Sequence, residues 1–255
     1  MINVAVIGAS GRMGQALIKL INENSKTTLS GALVRAGNEN VGKEINGVKY
    51  TDDIDSVFST ADVVIDFTPA GATKTHLEKA KQHNTKMIIG STGLGKTDEQ
   101  LIEDAGKDIA IVYASNFSIG VNTLFAICEK VGGVLGSDKF TTHIDETHHI
   151  HKVDAPSGTA LSLGKEIAKS RNDNFDDVYK YEQDRSNNKD ITFSDNRKGE
   201  VIGDHTVSFN NEMESLHLTH NAHNRDVFAD GAVFASIWIN DKDKGLYSMR
   251  DVLGL

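Results

Sequence analysis

A glycine-rich turn between a buried strand and a helix constrains the fold of this chain more than any other feature. Residues 2–7 are apolar apart from Asn3, as in a strand that is buried on both faces. The sequence G-A-S-G-R-M-G follows at residues 8–14. The helix after it has apolar residues on one face: Met13, Ala16, Leu17, Leu20 and Ile21. This order is typical of the start of a nucleotide-binding βαβ unit, in which backbone N–H groups hold a pyrophosphate. A tight turn without a ligand is the alternative, because the spacing is G-x-x-G-x-x-G and not G-x-G-x-x-G.

Strands and helices alternate from this turn to about residue 117. Further strands are predicted at 28–34, 63–67, 86–89 and 109–114, with crossover helices at 71–83 and 97–107. The pattern predicts an N-terminal Rossmann-like, doubly wound parallel sheet. The loops that follow three of these strands are small or polar and should line one crevice: F-T-P-A-G from Phe67, G-S-T-G from Gly90 and A-S-N-F-S from Ala114.

Strands dominate after residue 118. A linking helix is predicted at 120–131, and strands are predicted at 140–151, 191–194, 201–209 and 215–220. They predict a second α+β domain with a mainly antiparallel sheet. The polar segment 171–190 is predicted to be an exposed excursion. The apolar sequence G-A-V-F-A-S-I-W-I from Gly231 predicts a buried helix that returns to the first domain. The expected domains are therefore 1–117 with about 229–255, and 118–228.

The densest cluster of chemically active side chains is the sequence E-T-H-H-I-H-K-V-D-A-P-S-G-T-A at residues 146–160. Three histidines, a residue type that can titrate near neutral pH, stand beside a lysine that can donate a proton or hold a carboxylate: His148, His149, His151 and Lys152. Ser157 suits the N-cap of a helix whose free N–H groups favour an anion. The segment predicts a pocket that binds a carboxylate and protonates a group beside it.

Composition limits the partners and the compartment. The 36 acidic and 27 basic side chains give a formal charge of −9, so neither nucleic acid nor an anionic membrane is an expected partner. Cys128 is the single cysteine and cannot form an internal disulfide. No apolar run approaches the roughly 20 residues that span a bilayer, and Met1 leads into a strand and not a signal peptide. A cytoplasmic protein is the expectation.

The end of the second predicted strand indicates which dinucleotide binds. A site strict for NADH usually has Asp or Glu there, to hold the ribose hydroxyls, but this chain has Val34 followed by Arg35. Arg35, with Arg12 from the glycine turn, could hold a ribose phosphate. NADPH is therefore the favoured cofactor, with NADH possible. The alternative is that both arginines are solvated surface charges.

Five motifs together resemble the 4-hydroxy-tetrahydrodipicolinate reductase family, also called dihydrodipicolinate reductase. They are the glycine turn, G-S-T-G, A-S-N-F-S, the block at 146–160 and the closing G-L-Y-S-M-R-D-V-L. The resemblance runs nearly end to end, and H-H-x-H-K-x-D-A-P-S-G-T is its most specific part. It implies reduction of 4-hydroxy-tetrahydrodipicolinate to tetrahydrodipicolinate with NAD(P)H and loss of water, in lysine and diaminopimelate biosynthesis. It also implies a homotetramer.

The resemblance implies a role for each matching residue. His148 matches the catalytic acid/base and Lys152 the proton donor. His149 matches a substrate-binding position, and Gly158 and Thr159 match the pair that holds a carboxylate of the small cyclic dicarboxylate. The cofactor positions are Gly8, Ala9, Ser10, Gly11, Arg12, Met13, Gly90, Ser91, Thr92, Ala114, Ser115, Asn116 and Phe117. No metal is implied. Val34 departs from the family pattern, which often has an acid before the arginine.

Other interpretations of the same residues stay open at this point. A zinc site is one, built from His143, His148, His149, His151, His217, His220 and His223. For His217 and His223 a purely structural role is the stronger interpretation. A different nicotinamide oxidoreductase and a non-catalytic dinucleotide sensor are the competing functions, since a Rossmann fold fixes no reaction. Arg225 stays outside the predicted site.

Overall fold

The computed structural model describes residues 1–181 and 189–255. The chain divides into two compact units, Met1–Ile119 with Asp226–Gly254, and Gly120–Arg225 with Leu255. No helix of the described residues has the length and apolar character needed to cross a membrane.

The strands and helices of the described residues are numbered in chain order. The strands are β1 (Ile2–Ile7), β2 (Thr27–Leu33), β3 (Glu44–Ile45), β4 (Val48–Thr51), β5 (Val63–Asp66), β6 (Lys86–Ile89), β7 (Ala110–Tyr113), β8 (Thr141–His148), β9 (Tyr179–Tyr181), β10 (Ile191–Arg197), β11 (Gly203–Asn210), β12 (Ser215–Ala222) and β13 (Gly245–Tyr247). The helices are α1 (Arg12–Glu23), α2 (Ile54–Thr60), α3 (Thr73–His83), α4 (Lys96–Ala105), α5 (Ile119–Val134), α6 (Gly158–Ser170), α7 (Phe175–Val178), α8 (Asp226–Ile239) and α9 (Met249–Leu253).

The first unit contains the predicted Rossmann-like sheet. Its strand order is β13-β7-β6-β5-β1-β2-β4-β3, and all neighbouring strands are parallel except β3 and β4. The chain reverses direction of travel across the sheet at β1, which pairs with β2 on one side and β5 on the other. Ligands of such sheets bind outside the carboxyl ends of the strands at this reversal. The sequence analysis missed α2, the β3–β4 hairpin and β13.

Both faces of this sheet are buried, which explains the unbroken apolar sequence of β1. Val4 and Val6 belong to one apolar cluster, together with residues of α1 and α8. Ala5 and Ile7 belong to another, together with residues of α2, α3 and α4. Because successive strand residues point to opposite faces, β1 must be apolar at both. The buried helix predicted from Gly231 is α8, which contacts α1 and the first of these clusters.

The second unit is a sheet covered on one face by α5 and α6. Its order is β12-β11-β8-β10-β9, and β11 is antiparallel to both of its neighbours. These long pairings make the sheet mainly antiparallel, as predicted, while β10 runs parallel to β8 and β9. The core combines apolar residues of the sheet and the helices, among them Cys128, Ile144, Leu163, Phe193 and Phe209.

Two sequence predictions of this unit were wrong. The strand predicted at 140–151 ends at His148, because a turn follows in which the Lys152 N–H bonds to the His149 carbonyl at 3.1 Å. The segment 171–190 is not wholly an exposed excursion. It forms α7 and β9, where Val178 is buried and the Phe175 ring packs edge-on against Phe193 at 6.2 Å. Residues 182–188 of that prediction lie outside the described part.

Phe193 offers a test of this core. Its side chain is 1% exposed and packs against the rings of Phe175 and Tyr179, so Phe193→Ala would leave a cavity in this core. We expect the substitution to lower the free energy of unfolding by about 3–5 kcal/mol, measured by urea denaturation followed by circular dichroism. Phe234→Ala is the control, since Phe234 is 44% exposed. Equal losses in the two variants would contradict the packing described.

Candidate active site

His148 is the last residue of β8. Side chains of β8 alternate between the buried and the outer face, and His148 follows Thr142, Ile144 and Glu146 on the buried one. Its side chain is only 7% exposed. Because the strand ends there, the next residues turn away, and His149 and His151 are not held to the strand alternation. Their rings lie 6.1 Å apart.

A buried carboxylate, Glu146, links His148 to two other elements. Its Oε1 accepts the Ser157 N–H at 2.8 Å. Its Oε2 lies 3.5 Å from Nε2 of His205 on β11 and 3.7 Å from Nδ1 of His148. The Ser157 hydroxyl is 3.2 Å from the same His205 nitrogen. Glu146, His148, Ser157 and His205 therefore form one buried polar cluster.

Glu146 keeps its charge in this cluster although burial acts against it, whereas burial leaves His148 neutral. Burial acts to raise the pKa of Glu146, but contacts with His205 and Ser157 outweigh it and lower that pKa to about 2. Burial lowers the pKa of His148 to about 4, and the Glu146 charge offsets only part of the effect. At neutral pH the cluster therefore holds an ionised Glu146 and a neutral His148.

Lys152 lies on the turn after β8, and its ammonium group is already paired. Nζ donates to both carboxylate oxygens of Asp154 at 2.8 Å. Burial acts to raise the pKa of Asp154, but the Lys152 ammonium outweighs it and keeps that pKa below its usual value. Arg197, at the end of β10, donates to the carbonyls of both Lys152 and Asp154, at 3.1 and 2.7 Å. Arg197 therefore fixes the backbone that carries the lysine.

The start of α6 has the features of an anion site. Ser157 is the N-cap, and its Oγ accepts the Ala160 N–H at 3.2 Å. Gly158 and Thr159 are the first residues of the helix, so their N–H groups belong to the first turn, which has no intrahelical acceptors. Gly158 is exposed. The helix dipole adds partial positive charge at this end, which favours a carboxylate.

The histidines proposed for zinc do not assemble as a group. His143 contacts the hydroxyls of Thr192 and Ser194, and His217 contacts that of Ser208. Within the described ranges, the donor atoms that come together in a set of three belong to Glu146, His148 and His205, within 4.8 Å of one another. Only His148 of this set was among the histidines named from the sequence.

The first unit has a cavity of about 760 Å³ at the carboxyl ends of β1, β2 and β5. The glycine turn forms one wall, with Gly8, Ser10 and Gly11 lining it. Gly14 allows α1 to approach the turn, because a Cβ there would lie 2.4 Å from the Gly8 carbonyl oxygen. The turn thus presents backbone and the start of α1 to the cavity, which suits a pyrophosphate.

The two arginines predicted for the cofactor differ in position. Arg35 lines the cavity, whereas Arg12, the first residue of α1, is exposed and outside its lining. Val34 also lines the cavity, but its side chain is apolar and offers no hydrogen-bond acceptor to a ribose. Asn38 also lines the cavity and donates to the Ser10 hydroxyl at 3.3 Å. Asn38 was not predicted.

The other predicted cofactor residues lie on loops that leave the same edge of the sheet. Gly90, Ser91 and Thr92 follow β6, and the segment 114–117 follows β7. The Ser91 hydroxyl is buried and has no hydrogen-bond partner in the described part of the chain. A buried polar group of this kind could bond to a ligand. The Phe117 ring packs against Phe67, which lines the cavity, at 5.4 Å.

Sequence reasoning missed the groups that hold these positions. The loop after β5 is fixed by Asp66, which accepts the N–H and hydroxyl of Thr68 and contacts Nδ1 of His76 at 2.6 Å. In the second unit, His205 and Arg197 were missed, and Glu146 was given no role. A buried His205 between apolar positions of a period-two strand was the one available signal.

The cavity beside the glycine turn, and the imidazole and ammonium groups beside an anion-binding helix start, define a pyridine-nucleotide-dependent oxidoreductase. Residues 2–117 match the family model for the N-terminus of dihydrodipicolinate reductase, and residues 120–253 match that for its C-terminus. The chain belongs to the dihydrodipicolinate reductase family, whose enzymes serve lysine and diaminopimelate biosynthesis.

Similar proteins agree over the full length. A 4-hydroxy-tetrahydrodipicolinate reductase of Neisseria meningitidis serogroup B is 40% identical over 265 residues, which cover 100% of this chain and 98% of that protein. One of Cupriavidus metallidurans is 40% identical over 263 residues, 99% of each chain. The dipicolinate-bound dihydrodipicolinate reductase of Paenisporosarcina sp. TG-14 shares the fold, with a TM-score of 0.79 at 24% identity over 97% of both chains. Membership decides against the sensor and the unrelated oxidoreductase.

The lowered pKa of His148 predicts an acid-sensitive fold. An unfolded histidine takes up a proton near pH 6.5, whereas the folded His148 does so only near pH 4. The unfolded state therefore binds more protons within this window, and stability falls as the pH drops through it. We expect His148→Gln to reduce the loss of unfolding free energy between pH 6.5 and 4, measured by urea denaturation. His151→Gln is the control for removing an exposed imidazole. A His148 ring that NMR shows titrating at 6.5 would contradict this assignment.

Proposed function

We propose that this chain reduces 4-hydroxy-tetrahydrodipicolinate to tetrahydrodipicolinate with loss of water, using NADPH in preference to NADH. Family membership supports the reaction. The observation that carries the site is the cluster at the end of β8, where Glu146 lies beside His148 and bonds to the helix start at Ser157, and Lys152 follows on the next turn. One relative's structure is described as dipicolinate-bound, a planar cyclic dicarboxylate related to this substrate.

The substrate's carboxylate would bind at the start of α6. Gly158 and Thr159 would donate their N–H groups, and the helix dipole would favour the negative charge. His149, whose Nδ1 is buried without a hydrogen-bond partner in the described chain, would bind the substrate beside them. Lys152 would exchange Asp154 for the substrate, since a ligand carboxylate and Asp154 are alternative partners for the same ammonium group.

Protonation is the chemical task of the residues in the second unit. A bound nicotinamide would supply the hydride for a ring carbon of the substrate, and the residues of the second unit would neutralise the negative charge left on the conjugated imine. Lys152 would donate a proton to this system, because Arg197 fixes the backbone that carries the lysine and Asp154 positions its ammonium group. His148 is neutral at neutral pH and would act first as a proton acceptor, then as the group that returns the proton.

The cofactor would bind in the cavity of the first unit. Its pyrophosphate would lie at the glycine turn and the start of α1, with Gly8 to Met13 in contact. The loops at Gly90–Thr92 and 114–117 would hold the nicotinamide end. Arg35 would bind a 2′-phosphate as a bidentate donor, with Arg12 as a second cation. Val34 stands where an acidic side chain would hold the ribose hydroxyls of NADH.

We also propose a cytoplasmic homotetramer. The family resemblance supports the assembly, and the second sheet is suited to it, because β12 is an edge strand that is mostly exposed along its length. The formal charge of −9 supports a protein without nucleic acid or membrane partners. Small dicarboxylate and dinucleotide are then its ligands.

The catalytic assignment is tested by His148→Gln and Lys152→Met. Turnover is measured as NADPH oxidation, with substrate generated in place by the preceding synthase from pyruvate and aspartate semialdehyde. We expect rapid, synthase-dependent oxidation by the wild type, and a kcat lower by roughly 10²–10⁴-fold in each variant, since each loses a proton-transfer group. His151→Gln is the matched control and should keep full turnover. Wild-type rates in both variants would refute the roles, and no oxidation by the folded wild type would refute the reaction.

Arg35→Ala tests the cofactor preference. Removing a charge-assisted hydrogen bond to a phosphate costs about 1.5–3 kcal/mol, so kcat/KM for NADPH should fall by at least tenfold. The value for NADH should stay within about twofold, because NADH has no 2′-phosphate for Arg35 to bind. Comparing the two cofactors on one variant is its own control. Equal losses with both would show that Arg35 does not read the phosphate.

A further inference from the structure

We propose that Glu146 is a positioning residue that holds His148 in its working tautomer and, with its other oxygen, fixes the carboxylate-binding start of α6. This inference rests on the roles proposed above for His148 and α6. Glu146 is completely buried, and its two oxygens face different elements. A buried charge without such a task would be costly to keep.

The first oxygen fixes the helix start. Oε1 accepts the Ser157 N–H at 2.8 Å, and the Ser157 hydroxyl then caps the Ala160 N–H. Because Glu146 holds the N–H of the N-cap residue, it fixes the position and direction of the first turn of α6, where the substrate's carboxylate is proposed to bind. The carboxylate thus sets where the substrate's carboxylate would lie without touching it.

The second oxygen faces the two imidazoles. Oε2 lies 3.7 Å from His148 Nδ1, and within the described ranges neither atom has a hydrogen-bond partner. A carboxylate at this place favours a proton on Nδ1, which leaves Nε2 as the atom that exchanges protons. The Nε2 side is kept open by Gly203, where a Cβ would lie 3.0 Å from it.

Among the described residues, Glu146 supplies the main negative charge that acts on the ring. Four groups face His148: Glu146 from its own strand, His205 from β11, Lys152 from the turn and Arg197 from β10. Glu146 favours the protonated ring, whereas the other three oppose it. When His148 carries a proton during turnover, Glu146 is therefore the group that stabilises it.

Glu146→Gln is the substitution that separates charge from shape. Glutamine keeps the volume and an oxygen for the Ser157 N–H, but it removes the charge and permits the wrong His148 tautomer. We expect kcat to fall by ~10²-fold or more while KM for the dicarboxylate changes little. The limb of the kcat profile that reports His148 should move to lower pH. Glu146→Asp, which keeps the charge, should recover part of the lost kcat.

Glu200→Gln is the matched control. Its Oε1 also lies near an imidazole, 4.0 Å from His151 Nε2, but the Glu200 side chain is 84% exposed. This variant should keep wild-type kcat, KM and pH profile. A loss in Glu200→Gln equal to that in Glu146→Gln would overturn the proposal, because any nearby carboxylate would then have the same effect.

A double-mutant cycle with His148→Gln distinguishes this inference from the proposed function. If Glu146 acts through His148, Glu146→Gln should cause no further loss in the His148→Gln background. Full additivity would overturn the positioning role while leaving His148 catalytic. Full activity of His148→Gln alone would instead refute the proposed function.

Two measurements need no substitution. The ¹⁵N shifts of His148 in the wild-type protein should show the proton on Nδ1, and a proton on Nε2 would overturn the proposal. Wild-type turnover should also survive EDTA. A loss that added Zn²⁺ restores would overturn it as well, because Glu146, His148 and His205 would then be metal ligands and not a hydrogen-bonded cluster.

Discussion

The parallel pairing of β1 with both β2 and β5 is the constraint on which the first unit depends. Parallel strands need crossover connections, and each crossover returns the chain so that the next strand also ends at the same edge of the sheet. This arrangement brings together the glycine turn and the loops after β5, β6 and β7 at one edge of the sheet, although they are far apart in the sequence. A cofactor site assembled this way depends on topology more than on any single contact, which is why helices must bury both faces of the sheet.

The site in the second unit is built differently, because its proposed active groups all lie within fifteen consecutive residues. The chain must point these neighbouring side chains in different directions and still keep them close together. The end of β8 sends His148 inward, the following turn carries Lys152, and α6 begins soon after. Two polar ties hold this short segment. Glu146 joins the strand to the helix start, and Arg197 bonds the carbonyls of the turn to β10. Both ties come from charged side chains that are largely or wholly buried, so polar contacts fix the geometry here in addition to the apolar core shared by β8 and α6.

Sequence patterns predicted the elements that repeat and the motifs that are local. A few consecutive residues are enough to predict each of four features: the apolar β1, the helical period of α1, the N-cap Ser157 and the apolar α8. What the sequence could not supply were partners distant along the chain. His205 reaches Ser157 across 48 positions, and Arg197 reaches Lys152 across 45. The parallel pairing of β10 with β8 and β9 could not be predicted for the same reason, because the direction of a strand depends on the connections that lead to it. The short α7 was hidden because its polar surroundings outweighed Phe175 and Val178.

The pairing of Lys152 with Asp154 has a consequence for selectivity. The two residues are separated by one position, so the internal carboxylate is present at the lysine at a very high effective concentration. A monocarboxylate from solution competes poorly against such a neighbour. A dicarboxylate that is already bound through its first carboxylate would hold its second carboxylate near Lys152. That second carboxylate would then also have a high effective concentration and could compete with Asp154. With the substrate-binding roles proposed for Lys152 and the start of α6, this ion pair would favour ligands that carry two carboxylates at the right separation.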